Sequence, residues 1–273
     1  MNKDIGKLVT TKEKVWFLIV ICLALIGLFL FVAYHMTRFY PALSFFSPVA
    51  FVALIVAKSI LVVLWYLGSS LILMLITSGI TGGYLGQNSV QVSRAQFADI
   101  YEIVQDYSKK LDLKKTPKVY IMQSGGVLNA FASRFLFRDI VVIFSDILEL
   151  AYAQGEDAVR FIIAHELAHV KRKHVPKRLI TFWGSMIPFV GQVYSRACET
   201  TCDNIAAYLS DKNPASGLLV LLAGKKLYSK VKIDTFIQEA EKEKGFWSWL
   251  SEIISSHPNL STRIRNVSKT KNT

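Results

Sequence analysis

Acidic residues are scarce in this chain, cysteines scarcer, and two long stretches contain no charge of either sign. With 20 Asp and Glu against 32 Lys and Arg in 273 residues, the formal charge is +12. A basic excess beside long apolar runs faces anionic lipid headgroups before it faces nucleic acid, so a lipid bilayer is the expected contact and no nucleic-acid partner is expected. Three cysteines, Cys22, Cys198 and Cys202, are too few for a disulfide framework. Cys22 lies inside an apolar run and the other two stand four apart on an expected helix, which fits a reducing compartment. Charged residues make up only 19% of the chain and hydrophobic ones 52%, with a mean hydropathy of +0.36. That balance excludes an ordinary soluble domain and puts part of the chain in a membrane.

The uncharged stretches say which part. Val15 to Ala33 covers a bilayer core of about 30 Å at about 1.5 Å per residue. Ser59 to Ile80 gives a second run, which begins as early as Val49 if Lys58 snorkels to the headgroups. The expected division is a polar N-terminal tail at 1–14, a transmembrane helix at 15–34, a short external loop at 35–48 with Pro41 and Pro48 as breakers, and a second transmembrane helix at 49–80. A glycine-marked linker at 81–90 leads to a folded domain at 91–268, and a polar tail follows at 269–273. Lysines 3, 7, 12 and 14 precede the first span, the loop carries only Arg38, and many Lys and Arg follow the second span. Positive residues stay inside, so the tail and the domain are expected in the cytosol, with the spans in the plasma (inner) membrane.

Within the domain, Phe97 to Leu113 has helical apolar spacing, Lys118 to Met122 alternates like a strand, and Ile140 to Phe144 is an apolar run of strand length. Asn129 to Ala132 is a third candidate strand. Three short strands followed by helices predict an α+β fold with a small sheet packed on a long helix. Leu179 to Tyr194 is apolar but interrupted by Gly184, Pro188 and Gly191, and reads either as a membrane-contacting segment or as a buried hairpin. Asn213-Pro214 reads as the start of a further helix. Phe246 to Ile254 reads as an amphipathic helix.

The chemistry is concentrated between Glu156 and Pro176, read as one helix with acid in its first turn, base in its last and Pro176 as its end. It carries His165-Glu166-Leu167-Ala168-His169. Residues four apart share a helix face, so His165 and His169 can point their imidazoles at one ion, with Glu166 beside it. Two imidazoles and a downstream carboxylate hold Zn2+ with one position left for water, and a neighbouring carboxylate can take that water's proton. The helix from about Ser195 to Leu209 supplies Glu199 as candidate third ligand and, one turn on, Asp203 to hold a ligand histidine by its other ring nitrogen. Cys198 and Cys202 compete with Glu199 for that position, since thiolates also bind zinc.

Taken together, His165 to His169, Asn129-Ala130-Phe131-Ala132 before it, Ser195-Arg196-Ala197-Cys198-Glu199 with Asp203 after it, and His257-Pro258 with Arg263 near the end resemble the HtpX-like membrane-bound zinc metalloendopeptidases, whose wider family includes the CAAX prenyl endopeptidases. The resemblance covers Ala98 to Ile264. It implies a zincin-type catalytic domain in which His165, His169 and Glu199 bind zinc and Glu166 is the general base. It also implies that His257 and Arg263 meet the substrate or the developing oxyanion, and that Asn129, Ala130 and Phe131 offer a strand edge to protein or peptide substrates. HtpX proteases have two further spans between zinc helix and third ligand, where this chain has only Leu179 to Tyr194. The expected function is an integral membrane zinc endopeptidase acting in membrane protein quality control. The competing reading is a catalytically silent membrane adaptor on the same fold, which the intact set His165, Glu166, His169 and Glu199 opposes.

Overall fold

A computed structural model describes residues 2–43, 48–123, 125, 129–135, 138–210, 215–227 and 230–270 of the chain. It opens with a short helix α1 (Asn2–Leu8) and two long ones, α2 (Thr11–Leu43) and α3 (Pro48–Asn88). The stretches Thr11–Tyr34 and Val56–Asn88 are long and apolar enough to cross a membrane, and almost none of their side chains is buried by the rest of the chain. Trp65 at 75% and Phe29 at 71% exposure are typical of them. A surface of that kind suits lipid better than water.

These helices overrun the expected boundaries at both ends. The external loop expected at 35–48 is helical through Leu43 and again from Pro48, with 44–47 outside the described residues. Pro48 sits in the first position of α3, where a missing N–H is no loss. The linker expected at 81–90 is likewise helix as far as Asn88. A glycine in a helix costs only about 1 kcal/mol, and contacts outweigh it here. Leu85 is buried against the sheet, Ser78 donates to the Arg134 carbonyl at 3.4 Å, and the absence of a Cβ on Gly82 makes room for the Phe135 ring. At about 1.5 Å per residue α3 is about twice as long as a bilayer core is thick, so its last turns serve the domain. The tail expected at 1–14 is helical over Asn2–Leu8 and again from Thr11, and it packs on the domain. Ile5 and Val9 are buried in the domain core or against it, and Glu13 is 1% exposed.

The sheet is four-stranded and mixed, with β1 (Val90–Gln91), β2 (Lys118–Met122), β3 (Ala130–Phe135) and β4 (Arg138–Phe144) in the order β1-β2-β4-β3. The three expected strands are present, and two-residue β1 is too short to show an alternation in sequence. β4 lies between β2, to which it is parallel, and β3, to which it is antiparallel, leaving β3 at the edge. Its unbroken apolar run is explained by burial on both faces: Ile140 and Val142 pack with Leu85 of α3, while Val141 and Ile143 face the main core. After β1 comes α4 (Ala98–Lys110), and after β4 the described residues form helices and the turns between them. The helices are α5 (Ser145–Gln154), α6 (Glu156–Lys171), α7 (His174–Ser185), α8 (Val190–Leu209), α9 (Ser216–Leu227), α10 (Ile233–Lys242), α11 (Phe246–Ile254) and α12 (Leu260–Thr270). Asn213-Pro214 and 271–273 lie outside the described residues. The whole is α+β.

Two boundaries near the motif differ from expectation. α6 ends at Lys171, not at Pro176, because Lys173 takes a left-handed conformation with φ 54°. Pro176 then falls in the first turn of α7, where helix N–H groups have no partner to lose. Leu179 to Tyr194 is the rest of α7, a turn, and the start of α8. Gly184 on α7 abuts the backbone of Val20 on α2, so that a side chain there would strike the Val20 carbonyl. Outward, Ile180, Phe182, Trp183, Met186 and Phe189 are exposed.

Candidate metal centre

α6 crosses the middle of the domain, and its residues Phe161 to Val170 are all buried. Ile163 and Leu167 fill the core on its flanks, so close packing fixes the direction in which His165 and His169 point. α8 packs against α6 and brings up Glu199. The Nε2 atoms of the two histidines are 3.2 Å apart, and each lies 3.4 Å from an oxygen of Glu199. Donors held about 2.0–2.1 Å from a tetrahedral zinc ion stand about 3.3 Å from one another. The three side chains therefore match one ion's ligand set in distance as well as in chemistry, and they form one of the groups able to hold a metal among the described residues.

Charge at this point is organised from α8 outward. Asp203, one turn after Glu199, lies 2.9 Å from His165 Nδ1. Arg263 on α12 forks onto the same carboxylate, with Nε and Nη2 each 2.8 Å from one oxygen, and reaches Glu199 at 3.7 Å. Burial works against a charge on Asp203, but the Arg263 guanidinium outweighs it and holds its pKa below the ordinary value. Burial likewise opposes charge on Glu199, and hydrogen bonds from His165, His169 and His257 overcome it, keeping that carboxyl well below the usual range. For His165 burial favours the neutral ring, yet its bonds to Asp203 and Glu199 win and push its pKa up to about 10. Two buried carboxylates thus call for positive charge beside His165.

Around these ligands is a cleft of about 200 Å³, lined among others by Asn129, Ala130, Phe131, Ala132, Glu166, His257 and Arg263. Glu166 is buried, next to His165. His257 lies between α11 and α12 with its ring 60% exposed and Nδ1 3.1 Å from Glu199. Its loop is held from below. Arg196, three residues before Glu199, donates to the carbonyls of Glu252, Ile253 and Ser255, and the Ser255 hydroxyl takes the His257 N–H at 3.2 Å. Arg263 also lines the cleft but lies deeper, with its guanidinium engaged by the two α8 carboxylates. Asn129 and, on edge strand β3, Ala130 to Ala132 line the cleft.

Cys198 and Cys202, the competing ligands, are buried on α8, outside the set formed by His165, His169 and Glu199. Burial pushes the Cys202 thiol well above its ordinary pKa and that of Cys198 up to about 12, so neither favours the thiolate that binds metal. Cys202 Sγ is instead 3.7 Å from His174 Nδ1.

Two residues around the site were not singled out from sequence. His174, five after His169, read only as one of several basic residues at a helix end, and its Nδ1 is 3.0 Å from His169 Nδ1. Glu13, 3.3 Å from His174 Nε2, lies far away in the chain. Its one local signal is Thr10-x-x-Glu13, a helix-start pattern.

The family model described as Peptidase family M48 matches residues 94–192 and 181–271, which takes in β2 to β4, α4 to α12 and all the residues of the cleft. No curated protein matches the chain.

Proposed function

This chain belongs to peptidase family M48, a family of metallopeptidases, and from that premise we propose that it is an integral membrane, zinc-dependent endopeptidase whose metal is held by His165, His169 and Glu199. The observation that carries the reading is the convergence of three side chains: the two Nε2 atoms stand 3.2 Å apart, and each lies 3.4 Å from a different oxygen of the Glu199 carboxylate, with Glu166 next to them. Zinc in such a set lowers the pKa of a bound water to about 7 and polarises a carbonyl. The remaining chemistry belongs to the protein. Glu166 takes a proton from the attacking water on its carboxylate and delivers it to the leaving nitrogen. His257, exposed in the cleft, is the group able to meet the scissile carbonyl or its oxyanion. Asp203 fixes the proton of His165 on Nδ1, leaving Nε2 for the metal, and Arg263 holds Asp203 and Glu199 in place.

The outer edge of β3 supports an extended substrate. Asn129, Ala130 and Phe131 line the cleft at this edge, and a peptide lying along the strand would gain main-chain hydrogen bonds from its outward-facing backbone groups whatever the peptide's side chains. Recognition through backbone favours unfolded segments, in keeping with a role in membrane protein quality control. The lysine asymmetry supports a cytosolic position for the domain of 91–268 and the N-terminus, and the plasma (inner) membrane is the location proposed for the spans. The exposed aromatic end of α7 contacts the bilayer beside α2. Metal analysis of the purified full chain, with cleavage of an unfolded test protein before and after chelation, tests the proposal. About one zinc per chain and chelator-sensitive cleavage are expected; absence of bound zinc or cleavage indifferent to chelator would overturn it.

A further inference from the structure

The N-terminal segment is built into the wall of the metal centre. Thr10 caps α2 by accepting the Glu13 N–H at 3.2 Å, as the first residue of a T-x-x-E helix start does. The Glu13 side chain, however, does not turn back to its own helix. The Thr10 N–H is taken instead by Thr201 Oγ1 at 3.2 Å, two residues beyond Glu199, and Glu13 extends inward, 1% exposed. Its Oε1 receives Arg172 Nη2 at 2.8 Å and lies 3.3 Å from His174 Nε2 and 3.4 Å from Lys177 Nζ. His174, 3% exposed, has its other nitrogen 3.0 Å from His169 Nδ1.

Only one arrangement of protons satisfies this line of atoms when His169 is a ligand. His169 Nε2 must keep its lone pair for the metal, so its proton is on Nδ1 and is donated to His174 Nδ1. His174 must then carry its proton on Nε2, where the acceptor is Glu13. We infer that Glu13, at the foot of the first apolar helix, positions the zinc ligand His169 through His174, so that the membrane anchor completes the metal site. The inference rests on the assignment of His165, His169 and Glu199 as zinc ligands. Each imidazole of the site then has its own carboxylate behind it: Asp203 directly for His165, and Glu13 by way of a second ring for His169. A second cation at Glu13, His174 and Cys198 is disfavoured, because Arg172 and Lys177 already supply two positive charges there.

A structural alternative makes Glu13 only the counter-ion that docks α2 on Arg172 and Lys177, and the experiment separates the two. Zinc affinity is measured by chelator competition on the full chain in detergent, and the d–d absorption of the cobalt-substituted protein reports ligand geometry. Glu13→Ala should weaken zinc binding about ten- to a hundredfold, as losses behind a ligand do, and alter the cobalt spectrum. Glu13→Gln, nearly the same in shape and so able to fold, should weaken it about tenfold with the same spectral change. Arg172→Gln removes the shortest ion pair to that carboxylate but leaves His174 on it, and should keep wild-type affinity and spectrum. Wild-type zinc affinity and spectrum in Glu13→Gln, or an equal loss in Arg172→Gln, would overturn the inference. Failure of the wild type itself to bind zinc would instead overturn the ligand assignment beneath it.

Discussion

Glu199 and Asp203, one turn apart on α8, hold opposite ends of one imidazole: Nε2 of His165 is 3.4 Å from the first and Nδ1 is 2.9 Å from the second. With a buried carboxylate close to each nitrogen, a proton on Nδ1 faces Asp203, and the nitrogen facing Glu199 is the one left for a metal. Two residues of one helix, four apart, thereby set both a donor and the direction of another donor.

The two carboxylates should therefore differ in effect. Glu199→Ala is expected to abolish stoichiometric zinc, whereas Asp203→Ala should weaken binding by about ten- to a hundredfold and leave the metal in place at saturating zinc. Cys202→Ala should keep it. The check is metal content by mass spectrometry after dialysis; stoichiometric zinc in Glu199→Ala, with loss in Cys202→Ala, would transfer the third position to the thiol.

Much of this site was legible because a helix makes neighbours of residues four apart. His165 with His169, and Glu199 with Asp203, needed no tertiary knowledge. α4 was legible from its helical spacing, β2 from its alternation and β4 from an apolar run of strand length. Glu13 and His174 were not, since the link between them spans most of the chain and neither sits at ligand spacing. The ends of elements were missed where a contact overrides a local preference: Gly82 and Gly83 read as a linker, yet Phe135 against Gly82 and the sheet against Leu85 keep α3 helical. Pro176 read as a stop, and the left-handed turn at Lys173 makes it a start.

The seam between α2 and α7 is tight enough to be probed by a single methyl group. Gly184→Ala puts a Cβ against the Val20 carbonyl and should cost about 1–3 kcal/mol as overpacking does, read as a lower midpoint of thermal unfolding in detergent. Gly83→Ala, with open space around it, should be neutral or raise the midpoint slightly. Equal midpoints for wild type and Gly184→Ala would mean that the two helices do not meet at this point.

Orientation follows from the lysines flanking the two apolar helices. Protease added to sealed, right-side-out cells should spare the domain beyond Asn88, and the same protease should cut it once the membrane is permeabilised. Digestion in intact cells would reverse the orientation, and would place Cys198 and Cys202 in an oxidising compartment.

Glu166 separates an enzyme from a silent adaptor, because it stands beside the set formed by His165, His169 and Glu199 and is not a member of it. Changing it should spare the metal. Glu166→Gln keeps the size of the side chain and its packing on α6 but has no carboxylate to take the water's proton, and loss of a general base costs a factor of about a hundred to ten thousand in rate. Full zinc with nearly absent cleavage is the expected pair of results, and since the β3 edge and His257 are untouched, the variant should hold uncut substrate in a complex that the wild type clears. An adaptor makes the opposite prediction: wild type and Glu166→Gln would capture the same proteins and neither would cut them. A zinc-loaded Glu166→Gln protein that cleaves at the wild-type rate would remove Glu166 from the mechanism, whatever the metal content of the other variants.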